Sequence, residues 1–394
     1  MAAISGVTDT KYAFAQHLAR LGFEVDAPPE VAKHKMVECL GPERARDFHE
    51  VCSSASHTGA EGQNAIYDFV QTLREANLLR SINKAVTLDT SYFLYEKARP
   101  FLQPDSTVME LGCWTGALAS FIAEQYPSSR VVGVDRAAHI LELNRQLYRL
   151  PNLAFCEWDY RTDKPSQVEP ANLLLCGLGT TYACPQDAYR TLDPRVVRAS
   201  AGYEMEFAEA SEYFSQWRKA AADEARLLAV LRVNAFPRFL AFVDAAQATG
   251  WQPVLDEFAT VPCASNHESI PFLSFVARQS DRLSEDIVLS RFVFLQEGVP
   301  FPTVSGPAAL AMYRSLDTRT VLASRECKDA AAPVVMQELG VSGAFAYVFT
   351  RSTAQTFELL LLPRWRSERI RQVFTCEDAT VSTGSSSGVC AWAA

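Results

Sequence analysis

Over residues 96–282 the chain alternates short apolar runs with amphipathic stretches, and this alternation restricts its fold more than any other feature. TVMELG reads as a strand and ALASFIAEQYP as a helix, and the pair repeats in RVVGVD and HILELNRQLYRL. LAFCEWD, ANLLLCGLG and RLLAVLRV supply three more strands, with a helix, GYEMEFAEASEYFSQWRKAAADEA, between the last two. The helix FPRFLAFVDAAQATG follows, then WQPVLDEFATV and IPFLSFVARQ, two β-rich runs joined by a polar loop. Parallel strands need crossover helices, and those helices must cover both faces of the sheet. The expectation is an α/β domain with a mostly parallel sheet of seven strands, the last two forming a hairpin.

The flanks obey different patterns. KYAFAQHLARLGF, PPEVAKHKMVECL, ERARDFHEVCSS and AIYDFVQTLREANLL space apolar residues by three and four, which predicts a helical prefix or lid over 1–95. Within it 53–64, SSASHTGAEGQN, reads as a flexible connection. Residues 283–394 mix strand patterns (DIVLSRFVFLQ, GAFAYVFT, TFELLLLP) with helical ones (GPAALAMYRSL, AAPVVMQELG), predicting a small α+β domain. Its tail, TGSSSGVCAWAA, is expected to be poorly ordered.

Charge and cysteine usage narrow the partners. Lysine and arginine number 37 against 46 acids, a net charge of -9 with no basic run, which disfavours nucleic acid. The ten cysteines include no CxxC pair and no cluster at zinc spacing, so no metal is expected and the thiols suit a reducing, cytoplasmic setting. No leader pattern opens the chain, and no apolar run approaches the ~20 residues of a membrane span.

At Glu110-Leu-Gly112-Cys113-Trp114-Thr-Gly116 the chain resembles motif I of the class I S-adenosylmethionine-dependent methyltransferases, E/D-x-G-x-G-x-G, with three of its four signature positions matched. The resemblance spans about 95–280 and continues in Asp135 and Asp159, which close the next two strands. It implies a seven-stranded Rossmann-like methyltransferase sheet carrying an N-terminal helical region and a C-terminal α+β appendage, with S-adenosyl-L-methionine as cofactor. Gly112 and Gly116 would let the turn backbone approach the methionine moiety. Glu110 would hold the loop or favour the cationic end of the ligand. Asp135 would accept from both ribose hydroxyls and Asp159 from the adenine amino group, with Trp158 or Arg136 against the ring. Cys113 in the turn and Cys176 after the fourth strand complete the expected cofactor set; Cys176, like Cys184, also reads simply as a small apolar side chain.

Trp114 stands where the family usually places a glycine. Its indole could cover the cofactor from solvent or pack under the following helix. Two other functions compete: a nicotinamide dehydrogenase, disfavoured because GxGxxG is absent, and a degenerate methyltransferase fold serving as a binding module.

The acceptor side is less defined. CGLGTTYAC, 176–184, occupies the family's acceptor-facing loop but departs from the [DNS]PPY tetrad of many nucleic-acid and glutamine N-methyltransferases. Tyr182 and His267 are the candidate catalytic contacts, with Asp187 nearby in sequence; a lone loop histidine also reads as a solvated residue. Glu204, Glu206, Glu209 and Glu212 read as a solvated helix face. A small-molecule acceptor is expected, with a protein as the alternative. The prefix, this loop and the His267 hairpin are expected to wall the acceptor site together at the carboxyl ends of the strands.

Overall fold

The computed structural model describes residues 6–23, 29–58, 65–66, 68–70, 72, 85–160, 162, 169–177, 197–233, 235–263, 269–283, 287–288, 291–292, 295, 304–316, 319–327, 335–342, 345–363, 367 and 371. It divides into two units, Met1–Gln186 with Gly202–Asp281, and Asp187–Ala201 with Arg282–Ala394.

The first unit is built on one sheet. Its strands are β1 (Thr107–Leu111), β2 (Arg130–Asp135), β3 (Leu153–Glu157), β4 (Ala171–Gly177), β5 (Ala221–Val230), β6 (Gln252–Pro253), β7 (Ala259–Pro262) and β8 (Ser269–Val276). Their order is β3-β2-β1-β4-β5-β8-β6, with β7 also paired to β8. Strands β1 to β5 run parallel, and β8 is antiparallel to β5, β6 and β7. The sheet thus has seven positions. The run WQPVLDEFATV, read as one strand, breaks into β6 and β7 around a 3-10 turn at Leu255–Glu257.

The central strands are apolar runs because they are covered on both faces. In β8, Phe272 joins the core beside Phe93 while Phe275, three residues on and of opposite parity, meets Phe214. Phe93 belongs to helix α4 (Ala85–Ala98), which packs with α5 (Ala117–Gln125) and α1 (Gly6–Arg20). Helices α2 (Pro29–Leu40) and α3 (Pro42–Thr58) lie between α1 and α4, the described residues 65–66 and 68–70 are also helical, and α6 (Ala138–Leu147) links β2 to β3. Phe214 belongs to α7 (Ala201–Ala220), which meets Phe242 of α8 (Phe236–Ala248) on the other face. The helix expected to end at Ala225 stops at Ala220, and the following residues open β5.

The prefix does not act as one block. Phe14 of α1 packs edge-on to Phe121 of α5, ring centres 4.9 Å apart, and Tyr95 does the same at 4.8 Å. His17 is buried, with Nδ1 2.6 Å from the Glu124 carboxylate and Nε2 3.0 Å from the Ser120 hydroxyl. Burial lowers its pKa, while the hydrogen bond and charge of Glu124 oppose the shift. Thus α1 docks along α5 on a face of the sheet rather than at its carboxyl edge, contrary to expectation. Leu40, Ala45 and Phe48 of α2 and α3 instead cluster with Ala137, Ile140 and Leu143, at the loop after β2 and on α6. Helix α3 continues through Thr58, past the Ser53 start expected for a flexible connection. No helix among the described residues is long and apolar enough to cross a membrane.

The second unit carries β9 (Val304–Ser305), α9 (Gly306–Ser315), β10 (Thr320–Cys327), β11 (Val335–Ser342), β12 (Phe345–Ser352) and β13 (Phe357–Pro363), in an antiparallel sheet ordered β10-β11-β12-β13-β9. Tyr313 of α9 stacks on Phe349, centres 3.9 Å apart, and the Tyr313 and Tyr347 hydroxyls both donate to Glu338. Two expectations fail here. AAPVVMQELG, read as a helix, contributes β11, whose Leu339 and Val341 share a face with Val348 and Leu360. The described residues 287–288, 291–292 and 295, inside DIVLSRFVFLQ, are helical rather than strand. The tail TGSSSGVCAWAA lies outside the described residues.

Candidate functional site

The turn after β1 is held in a conformation that few sequences tolerate. Gly112, Trp114 and Gly116 have φ of 70°, 45° and 67°, alternating with Cys113 and Thr115. Glycine takes such angles freely; an L-residue does so at a cost of ~1–2 kcal/mol. The Gly116 N–H donates to the Cys113 carbonyl at 2.7 Å and closes the turn. Gly116 is needed for space as well, because a Cβ there would sit 2.9 Å from the Phe155 ring.

Glu110 holds the turn from below. Its Oε2 accepts from the Ala119 N–H at 2.9 Å, capping the third residue of α5, a helix whose N-cap, Gly116, has no side chain to do so. Burial pushes its carboxyl up to about 8, with the charge of Asp135 adding to the effect and the Ala119 donor opposing it. Of the two roles expected for Glu110, holding the loop is the one this hydrogen bond serves.

Asp135, at the end of β2, joins two loops. Its Oδ2 accepts from the Trp114 N–H at 3.1 Å and its Oδ1 from the Ala137 N–H at 3.0 Å. Burial raises its pKa, while the backbone donors of Ala137, Trp114 and Arg136 and the Arg136 charge pull it back down. Arg136 is half-buried beside it.

The other candidates are placed as follows. Trp158 is buried; its indole N–H donates to the Thr162 carbonyl at 3.2 Å, and its ring stands edge-on to Tyr160 with centres 5.2 Å apart. Its backbone N–H donates to the Asp135 carbonyl at 2.9 Å, tying the end of β3 to the site. Asp159 is half-buried, and its carbonyl accepts from the Thr162 N–H and hydroxyl. Cys113 packs with Leu141, Tyr148 and Phe155, and burial raises its thiol pKa, so it is a packing residue behind the turn. Cys176 is buried in β4, in register with Leu111 and Ala229, close to the sheet's carboxyl edge. Tyr182, Cys184, Asp187 and His267 lie outside the described residues.

Trp114 does not pack under the following helix. Its half-buried indole lies against the cluster formed by α2, α3, Val70, Ala137 and α6, with Ile66 and Phe69 packed on it, and no residue of α5 is among its members. Two residues of this neighbourhood escaped the sequence reading. The Asn144 amide donates to the Trp114 carbonyl at 2.7 Å, and the Tyr148 hydroxyl to the Thr115 carbonyl at 2.8 Å. Asn144 is a buried polar residue of α6, and Tyr148 is the extended residue that ends it.

The order of this sheet, its antiparallel last strand and the glycine turn at the end of β1 make this a Rossmann-like α/β fold of the kind expected from the sequence. Among curated proteins the chain is similar to the trans-aconitate 2-methyltransferase of Azoarcus sp. (strain BH72), 38% identical over 69 residues, which is 18% of this chain and 26% of that protein. It is also similar to the enzyme of the same name from Paracidovorax citrulli (strain AAC00-1), 31% identical over 104 residues, 26% of this chain and 38% of that protein. The chain therefore spans well under half the length of the curated relatives it matches. No model of a known protein family matches it. Among solved structures, a TehB-like SAM-dependent methyltransferase from Corynebacterium glutamicum aligns at TM-score 0.33 and 13% identity, covering 48% of this chain and 88% of that one. A 16S rRNA (adenine(1408)-N(1))-methyltransferase from Catenulisporales acidiphilia aligns at TM-score 0.33 and 16% identity, covering 48% and 94%.

Proposed function

We propose that residues 96–282 form a methyltransferase domain that transfers a methyl group from S-adenosyl-L-methionine to a small-molecule acceptor. The observation that carries this reading is the Gly112–Gly116 turn, with three positive φ angles, joined through the Trp114 N–H to the carboxylate of Asp135. The N–H groups of Cys113, Trp114 and Gly116 are spent on Val134, Asp135 and Cys113, so what the turn offers the cofactor's methionine moiety is a backbone without side chains at Gly112 and Gly116. Asp135 has about four acceptor positions as a carboxylate and takes backbone donors from Trp114, Ala137 and Arg136, which leaves an acceptor for a ribose hydroxyl. The residues present therefore fit the group. Arg136 and Asp159, at the ends of β2 and β3, would flank its adenine, whereas Trp158 is already packed against Tyr160 and bonded to Thr162.

Bound there, the cofactor supplies an electrophilic methyl group on a sulfonium. The chain's task is to orient it: Glu110 fixes the turn to α5, and Asn144 and Tyr148 fix it to the α6 region. A small acceptor is supported by the excess of acid, 46 residues against 37 basic, and by the acceptor, trans-aconitate, in the names of the two curated relatives. Tyr182 and His267 remain the proposed polar contacts to that acceptor.

The test is calorimetric titration of the full chain with S-adenosylhomocysteine, followed by a labelled-methyl screen against metabolite and protein extracts. Asp135→Asn keeps one carbonyl-type acceptor for the backbone donors, so it is the informative substitution, and Asp135→Ala would orphan those N–H groups. Loss of ionised hydrogen bonds to the ribose should weaken binding about 10-fold or more in the folded Asn variant. Preferential binding of NAD, or no binding at all, would overturn the cofactor assignment. Labelled protein in place of a labelled metabolite would overturn the acceptor class.

A further inference from the structure

Among the backbone groups that donate to the Asp135 carboxylate are those of Trp114 and Ala137. The same two residues belong to the apolar cluster that seats α2 and α3, where they meet Leu40, Ala45, Phe48, Val70, Ile140 and Leu143. Trp114 and Ala137 therefore touch both Asp135 and the helical pair. Trp114 is the more informative of the two, because it holds a non-glycine side chain at φ 45°, a conformation that glycine would adopt without cost. An outlier kept at a site calls for a compensating interaction. Here three are visible: the N–H donated to Asp135, the carbonyl accepting from Asn144, and the indole packed on the cluster.

We propose that Trp114 is a positioning residue that couples ligand binding at Asp135 to the seating of α2 and α3. This rests on the cofactor reading above. A ribose bonded to Asp135 fixes the carboxylate and thereby the Trp114 and Ala137 backbones, and the indole passes that order to the helical pair. By linkage the effect is reciprocal: whatever factor the ligand adds to the docking of α2 and α3, docking adds to the affinity for the ligand.

The experiment is hydrogen–deuterium exchange on the full chain, with and without S-adenosylhomocysteine, following amides 36–52. In the parent protein ligand should slow their exchange about 5-fold or more, within the usual range of coupling between sites. Trp114→Gly suits the turn backbone but removes the ring; it should still bind ligand, exchange faster at 36–52 without ligand, and show no ligand-dependent slowing there. Trp114→Phe should restore part of the slowing. Ligand binding by the parent together with undiminished slowing in Trp114→Gly overturns the coupling alone. No ligand binding by the parent overturns the cofactor reading and the coupling with it, while faster ligand-free exchange in Trp114→Gly would still locate the ring's docking. Should Trp114→Gly fail to fold, the graded comparison of parent with Trp114→Phe decides: equal slowing in both overturns the role of the indole.

Discussion

Gly116→Ala would perturb the turn in two ways whose magnitudes can be worked out separately. At φ 67° an L-residue carries a backbone cost of ~1–2 kcal/mol. The added methyl would lie 2.9 Å from two carbons of the Phe155 ring and 3.1 Å from Tyr148, closer than packed side chains allow. Overpacking of this kind costs ~1–3 kcal/mol. Together they predict a loss of ~2–5 kcal/mol, a large part of the ~5–15 kcal/mol that holds a typical domain together. Urea unfolding of the parent, Gly116→Ala, Phe155→Leu and the double variant measures the loss and divides it. The smaller leucine should relieve the steric part, so the double variant should be more stable than the single effects add up to, by ~1–3 kcal/mol. A loss below about 1 kcal/mol in Gly116→Ala would refute the backbone argument. A cycle with no interaction between the two sites would refute the contact with Phe155.

Three further outcomes are expected. Glu110 has a folded pKa of about 8, above its unfolded value of 4.5, so its contribution to stability is whole below pH 4.5 and is lost as pH rises through about 8; unfolding measured at pH 5 and pH 8 should show a smaller decline in Glu110→Gln than in the parent, and parallel declines would remove Glu110 as the cause. His17→Ala deletes two buried hydrogen bonds between α1 and α5 and should cost ~1–3 kcal/mol while hastening proteolysis within 6–23; cleavage at the parental rate would contradict the docking of α1. Gly340→Ala would place a methyl on the Tyr347 hydroxyl in the second unit, and a melting temperature within one degree or so of the parent would refute that packing.

The central strands of the first unit were legible because they are covered on both faces and so are written largely as apolar runs; LLLC in β4 could hardly be anything else. The α5 helix was legible from its apolar face, and Gly112, Gly116 and Asp135 from their spacing. The second unit was less so. Val334, Val335 and Leu339 imitate helical spacing in AAPVVMQELG, yet pairing on both edges makes β11 a strand, a tertiary override of local pattern. The acidic face of α7 was misread in part: Glu204 and Glu212 are exposed, but Glu206 lies 3.5 Å from the buried Arg238, a partner 32 positions away that no local window contains. Trp114 shows the same limit. Its place in the turn was evident, and its neighbours in α2 and α3 were not, because they lie more than 60 residues upstream.

The register of the sheet also sets the order in which it can be assembled. Val108 faces Val131 on one side and Leu173 on the other. The first pairing closes a short loop and the second a much longer one, and long loops are the slower to close. The half from β1 to β3 contains Glu110, Gly116, Asp135 and Phe155, together with the helix residues that brace the turn. A chain emerging from the ribosome can therefore complete that half before β4 has been synthesised. The later strands then join a frame in which the glycine turn is already set.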